Sequence, residues 1–386
     1  MIPHTVWSEI NLRAIEHNVR EIRKFIRAAT RLMVVVKANG YGHGSVEVAS
    51  RAIQHGATHL GVARLTEAVQ LRKAGISVPI LIFGPPNLNH VEELVNFKLT
   101  QTIYSATAAK ALSSRARALG QKIEVHIKID TGMGRLGLLP DAFWISLNTS
   151  NRVSDPLEEV KLINQLPGCD LNGIYTHFAT ADSGEKSYVK KQLAIFESLL
   201  RDMHNAGINP SIIHAANSAA TIDHPETHLD MVRVGISTYG LYPSKEVQRN
   251  RLKLEPAMQL KTRIIQLKRV PRNYYISYGI SYKTSKETLI ATVPIGYADG
   301  LSRLLSSKGV MLVRGQEAPI VGRVCMDLTM INVGHIPGVA LGDEVVIFGT
   351  QSGRVIPVEK VAETIDTINY EVVSTITDRV PRIYSH

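Results

Sequence analysis

Lys37 ends the apolar run Met33-Val34-Val35-Val36 and leads at once into Ala38-Asn39-Gly40-Tyr41-Gly42-His43-Gly44. A buried strand that stops at a lysine leaves the amine where strand gives way to loop. Partial desolvation there lowers the ammonium pKa and makes neutral amine available, as Schiff-base chemistry with an aldehyde requires. Strand position alone also allows a plainer reading, a lysine whose stem packs on apolar surface while its head stays in water. The glycine-rich loop beside it matches neither a P-loop nor a dinucleotide fingerprint.

Two further places carry polar groups at strand ends. His214-Ala215-Ala216-Asn217-Ser218-Ala219 follows one apolar run, and Arg233-Val234-Gly235-Ile236 passes through the next. Ser218 offers a hydroxyl at a helix start and Gly235 allows close backbone approach, a pairing that suits a phosphate. A helix cap and a packing glycine account for the same residues equally well. In the second place, alternation along 123–130 puts Glu124, His126, Lys128 and Asp130 on one face, just before Thr131-Gly132-Met133-Gly134-Arg135. Polar groups on the inner face of a packed barrel need partners. Either Glu124 and Lys128 pair, or Lys128 is modified into a group that holds Arg135.

The elements that must position these residues repeat along the first 240 positions. Apolar runs at 32–36, 59–63, 80–84, 100–105, 123–129, 173–178, 212–216 and 231–237 read as buried parallel strands. Helical stretches lie between them at 45–55, 65–74, 107–119, 155–165 and 188–206. Eight strands separated by helices predict an α/β fold, a (β/α)8 TIM-type barrel over 12–240 with its chemistry at the carboxyl ends of the strands. An open doubly wound sheet is the competitor, because a strand count does not prove closure. Beyond Pro243 the texture turns to short β-rich segments at 259–267, 288–294, 309–313, 321–324 and 345–348, a mostly-β C-terminal domain over 241–386. The opening segment, 1–11, looks extended and is expected to pack on that domain.

Composition narrows the function classes. The chain has 386 residues, enough for about two or three domains, and is 44% hydrophobic and 20% charged. No apolar run approaches the roughly 18–20 residues of a membrane span. The start, Met1-Ile2-Pro3-His4-Thr5, lacks a signal-peptide pattern, and Cys169 and Cys325 alone make no disulfide framework. Both features point to the cytoplasm. The net charge of +10 is scattered rather than gathered in a stripe, so no nucleic-acid partner is expected, nor a membrane or a metal.

In order along nearly the whole chain, Val-Lys-Ala-Asn-Gly-Tyr-Gly-His-Gly at Lys37, Asp-Thr-Gly-Met-Gly-Arg at Arg135 and Thr-His-Phe-Ala at His177 form a recognisable set. Ala-Asn-Ser-Ala at Ser218, Arg-Val-Gly-Ile at Arg233, Ser-Tyr-Gly at Tyr278 and Gly-Tyr-Ala-Asp-Gly at Tyr297 continue it. Gly-Arg-Val-Cys-Met-Asp at Met326, Ile-Asn-Tyr-Glu at Tyr370 and a late Arg-Val-Pro-Arg complete it. The chain resembles the alanine racemase family, with Gly40 departing from the Ala of many relatives.

That resemblance implies a pyridoxal 5'-phosphate enzyme interconverting L- and D-alanine by a two-base mechanism, supplying D-alanine for peptidoglycan. Lys37 then holds the cofactor as an imine and acts as one base; Tyr278 is the other, supplied by the partner subunit of a homodimer. Tyr41, Asn217, Ser218, Gly235, Ile236 and Tyr370 take cofactor-binding positions, most of them at the phosphate. Arg233 faces the pyridine nitrogen and, with His177, belongs to a network that reaches Tyr278. His177, flanked by Phe178 and Ala179, equally suits a satisfied core histidine. Arg135 and the Met326 backbone bind the substrate carboxylate, Lys128 is a carbamylation site, and Tyr297 is an entrance gate. A basic amino acid decarboxylase shares the architecture, but its glycine-rich phosphate loop and cysteine motif are not seen. A pyridoxal-phosphate carrier protein shares only the barrel. A racemase of wider substrate range depends on pocket dimensions that sequence does not give.

Overall fold

The computed structural model describes residues 4–140 and 155–386, so the reading of residues 1–3 lies outside it. Two compact units divide the chain. Ile15–Gly40 and Ser45–Glu255 form one; β1 (Val6–Asn11), Tyr41–Gly44 and Pro256–His386 belong to the other.

The first unit is a closed parallel barrel of eight strands. They are β2 (Arg31–Val35), β3 (His59–Val62), β4 (Ile80–Ile82), β5 (Thr100–Ile103), β6 (Ile123–Lys128), β7 (Cys169–Tyr175), β8 (Ile212–His214) and β9 (Met231–Val234). Closure comes from β9 lying parallel to β2, with Arg31 beside Met231 and Val34 beside Val234. An open sheet is thereby excluded. Intervening helices begin where cap residues stop the extended chain. Ser105 accepts the Ala108 N–H at 3.1 Å to start Ala106–Ala118, and Asp155 accepts from Leu157 at 2.9 Å ahead of Pro156–Asn164. Several strands stop earlier than their apolar runs, as at Val234 within 231–237, because the chain peels away to build loops.

Inside the barrel, Met33, Leu81, Tyr175, Ile212 and Met231 cluster against Phe83. Polar side chains share the lumen: Thr102, His126, Lys128, His214 and Arg233 are all buried. Room for the His126 ring depends on Gly173, where a Cβ would come within 2.5 Å of ring carbon.

The second unit is mostly strand. Its main sheet runs β16 (Gln316–Pro319), β15 (Val310–Val313), β18 (Glu344–Gln351), β10 (Met258–Arg263), β1 and β20 (Arg382–Ser385). The opening strand is antiparallel to β10 and parallel to β20. A smaller sheet joins β11 (Gln266–Val270), β14 (Thr288–Val293) and β17 (Thr329–Asn332). Two expected segments differ. The 259–267 run breaks into β10 and β11, which pair in different sheets, and 321–324 forms no strand. Within that stretch Ser277 Oγ accepts the Arg323 N–H at 2.9 Å and Ser306 Oγ accepts that of Val324 at 3.0 Å. Val321 N–H still donates to Met330 O of β17 at 2.9 Å, but side-chain hydroxyls take the N–H groups that follow.

Candidate active site

Lys37 follows the end of β2 at the rim of the barrel, half-buried. Burial, then the Arg135 guanidinium, push its pKa below the ordinary lysine range, with the Glu67 carboxylate opposing. The turn after it is left-handed for four residues: Ala38, Asn39, Gly40 and Tyr41 have φ of 52°, 52°, 61° and 51°. Each non-glycine residue costs about 1–2 kcal/mol there, so Gly40 removes one increment of strain. The turn is tied by Gly40 N–H to Val36 O at 2.9 Å and Ser45 N–H to Asn39 Oδ1 at 3.0 Å.

Arg135 is placed by a carboxylate that the sequence reading did not assign. Asp130 accepts N–H bonds from Gly132, Met133 and Gly134 on Oδ1 and from Arg135 on Oδ2, all within 2.8–3.0 Å. Burial pushes the Asp130 pKa up, but the four N–H donors outweigh it and hold the group ionised below its usual range. An Asp two residues before a Gly-x-Gly stretch is the signal that could have marked it.

Lys128 lies buried at the end of β6, and its Nζ finds no hydrogen-bond partner among the described residues. Glu124 does not serve it, since its Oε1 accepts from Asn172 at 2.7 Å and Thr100 at 3.2 Å. Burial, followed by Arg233 and Arg135, pulls the Lys128 pKa down to about 8, against a smaller opposing effect of Asp130.

Arg233, on β9, is buried and central. Nη1 donates to His214 Nδ1 at 2.9 Å. Nη2 donates to Thr176 O at 2.8 Å, Ala215 O at 2.9 Å and His177 Nδ1 at 3.2 Å. A guanidinium only donates, so His214 accepts on Nδ1 and carries its proton on Nε2; Nη2 has two hydrogens for three acceptors, and the His177 contact is the longest of them. His214 then donates from Nε2 to His126 Nδ1 at 3.0 Å, extending the chain into the lumen. Burial brings the Arg233 pKa down to about 10, with Tyr175 opposing, so the group stays charged at neutral pH.

Four histidines of the barrel are held neutral by burial. His59 is pushed down to about 4 and His126 to about 3, while His177 and His214 lie well below the ordinary value, neighbouring cations adding to burial in each case. Above about pH 6.5 these imidazoles are neutral folded and unfolded, and they add no pH dependence. Below it the unfolded chain binds protons that the native barrel refuses, so stability falls with pH toward the depressed native values. Each such group steepens the fall by about 1.4 kcal/mol per pH unit. Urea unfolding at pH 7.5, 6 and 5 should show this loss; a flat profile would mean these rings are protonated in the native state.

Ser218 begins a short helix, Ser218–Asp223, but the cap is Asn217, whose Oδ1 accepts the Ala220 N–H at 2.9 Å. Freed from capping, the Ser218 Oγ accepts the Gly235 N–H at 2.9 Å, which joins Ser218 to Gly235 and Ile236 across the ends of β8 and β9.

In the other unit, the Tyr41 and Tyr370 rings lie 6.1 Å apart, and burial pushes the Tyr41 phenol above its ordinary range. Tyr297 N–H donates to Cys325 O at 3.0 Å and Ala298 N–H to Met326 O at 3.1 Å, so the Tyr297 and Met326 loops are stitched together. Tyr278 stands on a tight turn, 72% exposed, after Ser277 at φ 71°. Lys37, Lys128, Arg135, His177 and Arg233 thus form one electrostatic cluster, Tyr41 pairs with Tyr370, and Tyr278 is exposed on its turn in the other unit.

A closed barrel that gathers two lysines and two arginines around its strand ends defines a class of enzyme built to hold anions beside a reactive amine. Residues 10–243 match the alanine racemase N-terminal domain and 257–384 the alanine racemase C-terminal domain. An alanine racemase of Desulfosudis oleivorans is 50% identical over 383 residues, covering 98% of this chain and 96% of the relative. The solved alanine racemase of Clostridium difficile 630 superposes with a TM-score of 0.92 at 39% identity, covering 100% and 97% of the two chains. The histidine racemase of Leuconostoc mesenteroides superposes at 0.88 with 27% identity, covering 100% and 99%. The chain belongs to the alanine racemase family, whose members are pyridoxal-phosphate-dependent racemases.

The residues present fit that cofactor. A lysine of lowered pKa suits its aldehyde, and the Arg135 guanidinium close to that lysine suits an anionic oxygen beside it. The bonds that hold Arg233 engage its Nη1 and Nη2 atoms, which leaves Nε as its remaining edge for a ring nitrogen. No helix of the described residues is long and apolar enough to cross a membrane.

Proposed function

We propose that this chain is a cytoplasmic homodimer that interconverts L- and D-alanine with pyridoxal 5'-phosphate on Lys37, supplying D-alanine for peptidoglycan. The supporting observation is the cluster of Lys37, Lys128, Arg135 and Arg233, anchored through His177 and His214. When bound, the cofactor supplies an electron sink conjugated to the substrate α-carbon. Lys37 holds its aldehyde carbon, and Arg233 donates a hydrogen bond to the ring nitrogen without giving up its proton. A guanidinium at that position would keep its own proton and so leave a neighbouring ring nitrogen unprotonated.

Tyr41, Ser218, Gly235, Ile236 and Tyr370 grip the phosphate, with Asn217 fixing the turn that carries Ser218. Arg135 binds the substrate carboxylate, aided by the Met326 backbone. Inversion needs a proton removed from one face and another delivered to the opposite face. Lys37 serves one face as neutral amine. Tyr278 serves the other from the partner subunit, oriented through His177. The exposure of Tyr278 on its own chain supports that placement. Tyr297 gates the entrance, and Tyr370 narrows the space beside the substrate.

Lys128 is the carbamylated residue in this reading. A buried amine with pKa near 8 is nucleophilic toward carbon dioxide, and the product is an anion where two arginines otherwise face a third cation. Protein equilibrated with 13C-bicarbonate should give a carbamate carbonyl resonance that Lys128→Ala abolishes; a spectrum unaltered by that change would reject the assignment.

The proposed activity is tested by incubating the protein with L-alanine and pyridoxal phosphate and scoring D-alanine. Serine, lysine, arginine and histidine in parallel define breadth. Alanine should turn over fastest; absence of D-alanine with a saturated cofactor site would overturn the reading.

A further inference from the structure

Glu67 lies in the first turn of the helix Leu65–Lys73 and accepts three backbone N–H bonds. Its Oε2 takes Ala63 at 2.8 Å and Arg64 at 3.0 Å, closing the end of β3 onto the helix. Its Oε1 reaches the neighbouring strand end and takes the Ala38 N–H at 2.7 Å. Ala38 is the first left-handed residue after Lys37 and is itself exposed. Without that carboxylate its N–H would face water, and nothing local would offset the strain of its backbone.

We propose that Glu67 is the positioning residue for Lys37, its carboxylate clamping the β2 and β3 ends together and fixing the left-handed turn from which the lysine projects. This deepens the reading above and rests on Lys37 being the cofactor lysine. Two features make the clamp more than a helix cap. A capping box needs only the Ala63–Arg64 side, so the Ala38 bond is an addition. Glu67 is also the acid acting on Lys37, against burial and Arg135, while Lys37 in turn bears on His177. One side chain therefore fixes the turn that carries the lysine and opposes, in smaller measure, the burial and Arg135 charge that lower its pKa. Glutamine has the length of Glu67 but a single acceptor oxygen and no charge, so it must release one strand end.

Amide hydrogen exchange at Ala38 in the purified full-length protein provides the direct test. An exposed turn amide held by Glu67 should exchange about tenfold or more slowly than a free one. Glu67→Gln should release that protection and move the pH midpoint of imine formation with pyridoxal phosphate, read from its absorbance, to lower pH. A role confined to capping would leave both unchanged. An unprotected Ala38 amide in the wild-type protein overturns the proposal, and this readout stands even if the variant fails to fold. Retained protection with an unmoved midpoint in a folded Glu67→Gln protein overturns it too. Wild-type protein that forms no reducible bond to pyridoxal phosphate at Lys37 would instead sink the underlying assignment, whatever Ala38 does.

Discussion

Lys37→Ala should lower alanine racemisation by at least about ten-thousand-fold while leaving the fold intact. The side chain is half-buried at a strand end, and it sits against the Arg135 charge. Lys37 lies at the rim and outside the packed core, so the thermal midpoint should stay close to that of the wild-type protein. Activity should vanish for two reasons at once. The covalent anchor for the aldehyde is gone, and so is the base for one face of the α-carbon. Lys37→Arg separates charge from chemistry, because a guanidinium keeps the cation but stays protonated. It should be as inactive as the alanine variant. Steady-state racemisation with circular dichroism of the folded protein checks both points, and substantial activity in either variant would refute the assignment.

Tyr278→Phe is expected to give the second large effect, with a distinctive signature. The two enantiomers of alanine have equal free energy, so any change in kcat/KM for racemisation must be the same in both directions. The asymmetry lies in hydrogen exchange. With the phenol hydroxyl removed, the enantiomer whose α-hydrogen faces Lys37 should still exchange that hydrogen with solvent deuterium, without inversion. Its mirror image should lose exchange by roughly a hundred- to ten-thousand-fold. Because Tyr278 is exposed on a tight turn, its ring contributes little to the packing of its own chain. Stability should therefore be near wild type. Proton NMR of L- and D-alanine in deuterium oxide distinguishes the outcomes; equal, mild losses for the two substrates would contradict the two-base arrangement.

Much of this architecture can be read from the residues because the signals are local. Continuous apolar runs such as Ile80–Ile82 identify buried parallel strands, and Ser105 or Asp155 marks a helix start. Closure was not local: it depends on β9 meeting β2 across two hundred residues, which no pattern within either strand encodes. The same limit separates the site residues. Lys37 and Ser218 announce themselves at strand ends, and Lys128 by being charged on an inward face. Glu67 looks like an ordinary first-turn acid, and only the fold shows its reach to Ala38. His126 and His214 show in sequence only as polar residues on strands, and their bonds to each other and to Arg233 through the lumen need the closed barrel. The 321–324 segment misled for the converse reason. Its apolar residues are buried, but after Val321, which still bonds β17, the Ser277 and Ser306 hydroxyls take the Arg323 and Val324 N–H groups in place of a strand partner.

The most direct measurement is reduction of the cofactor-loaded protein with borohydride, followed by peptide mapping. A pyridoxyl group fixed on the ε-nitrogen of Lys37, in near-stoichiometric yield and nowhere else, is the expected result. An unmodified peptide at that position, or label spread over surface lysines, would contradict the account.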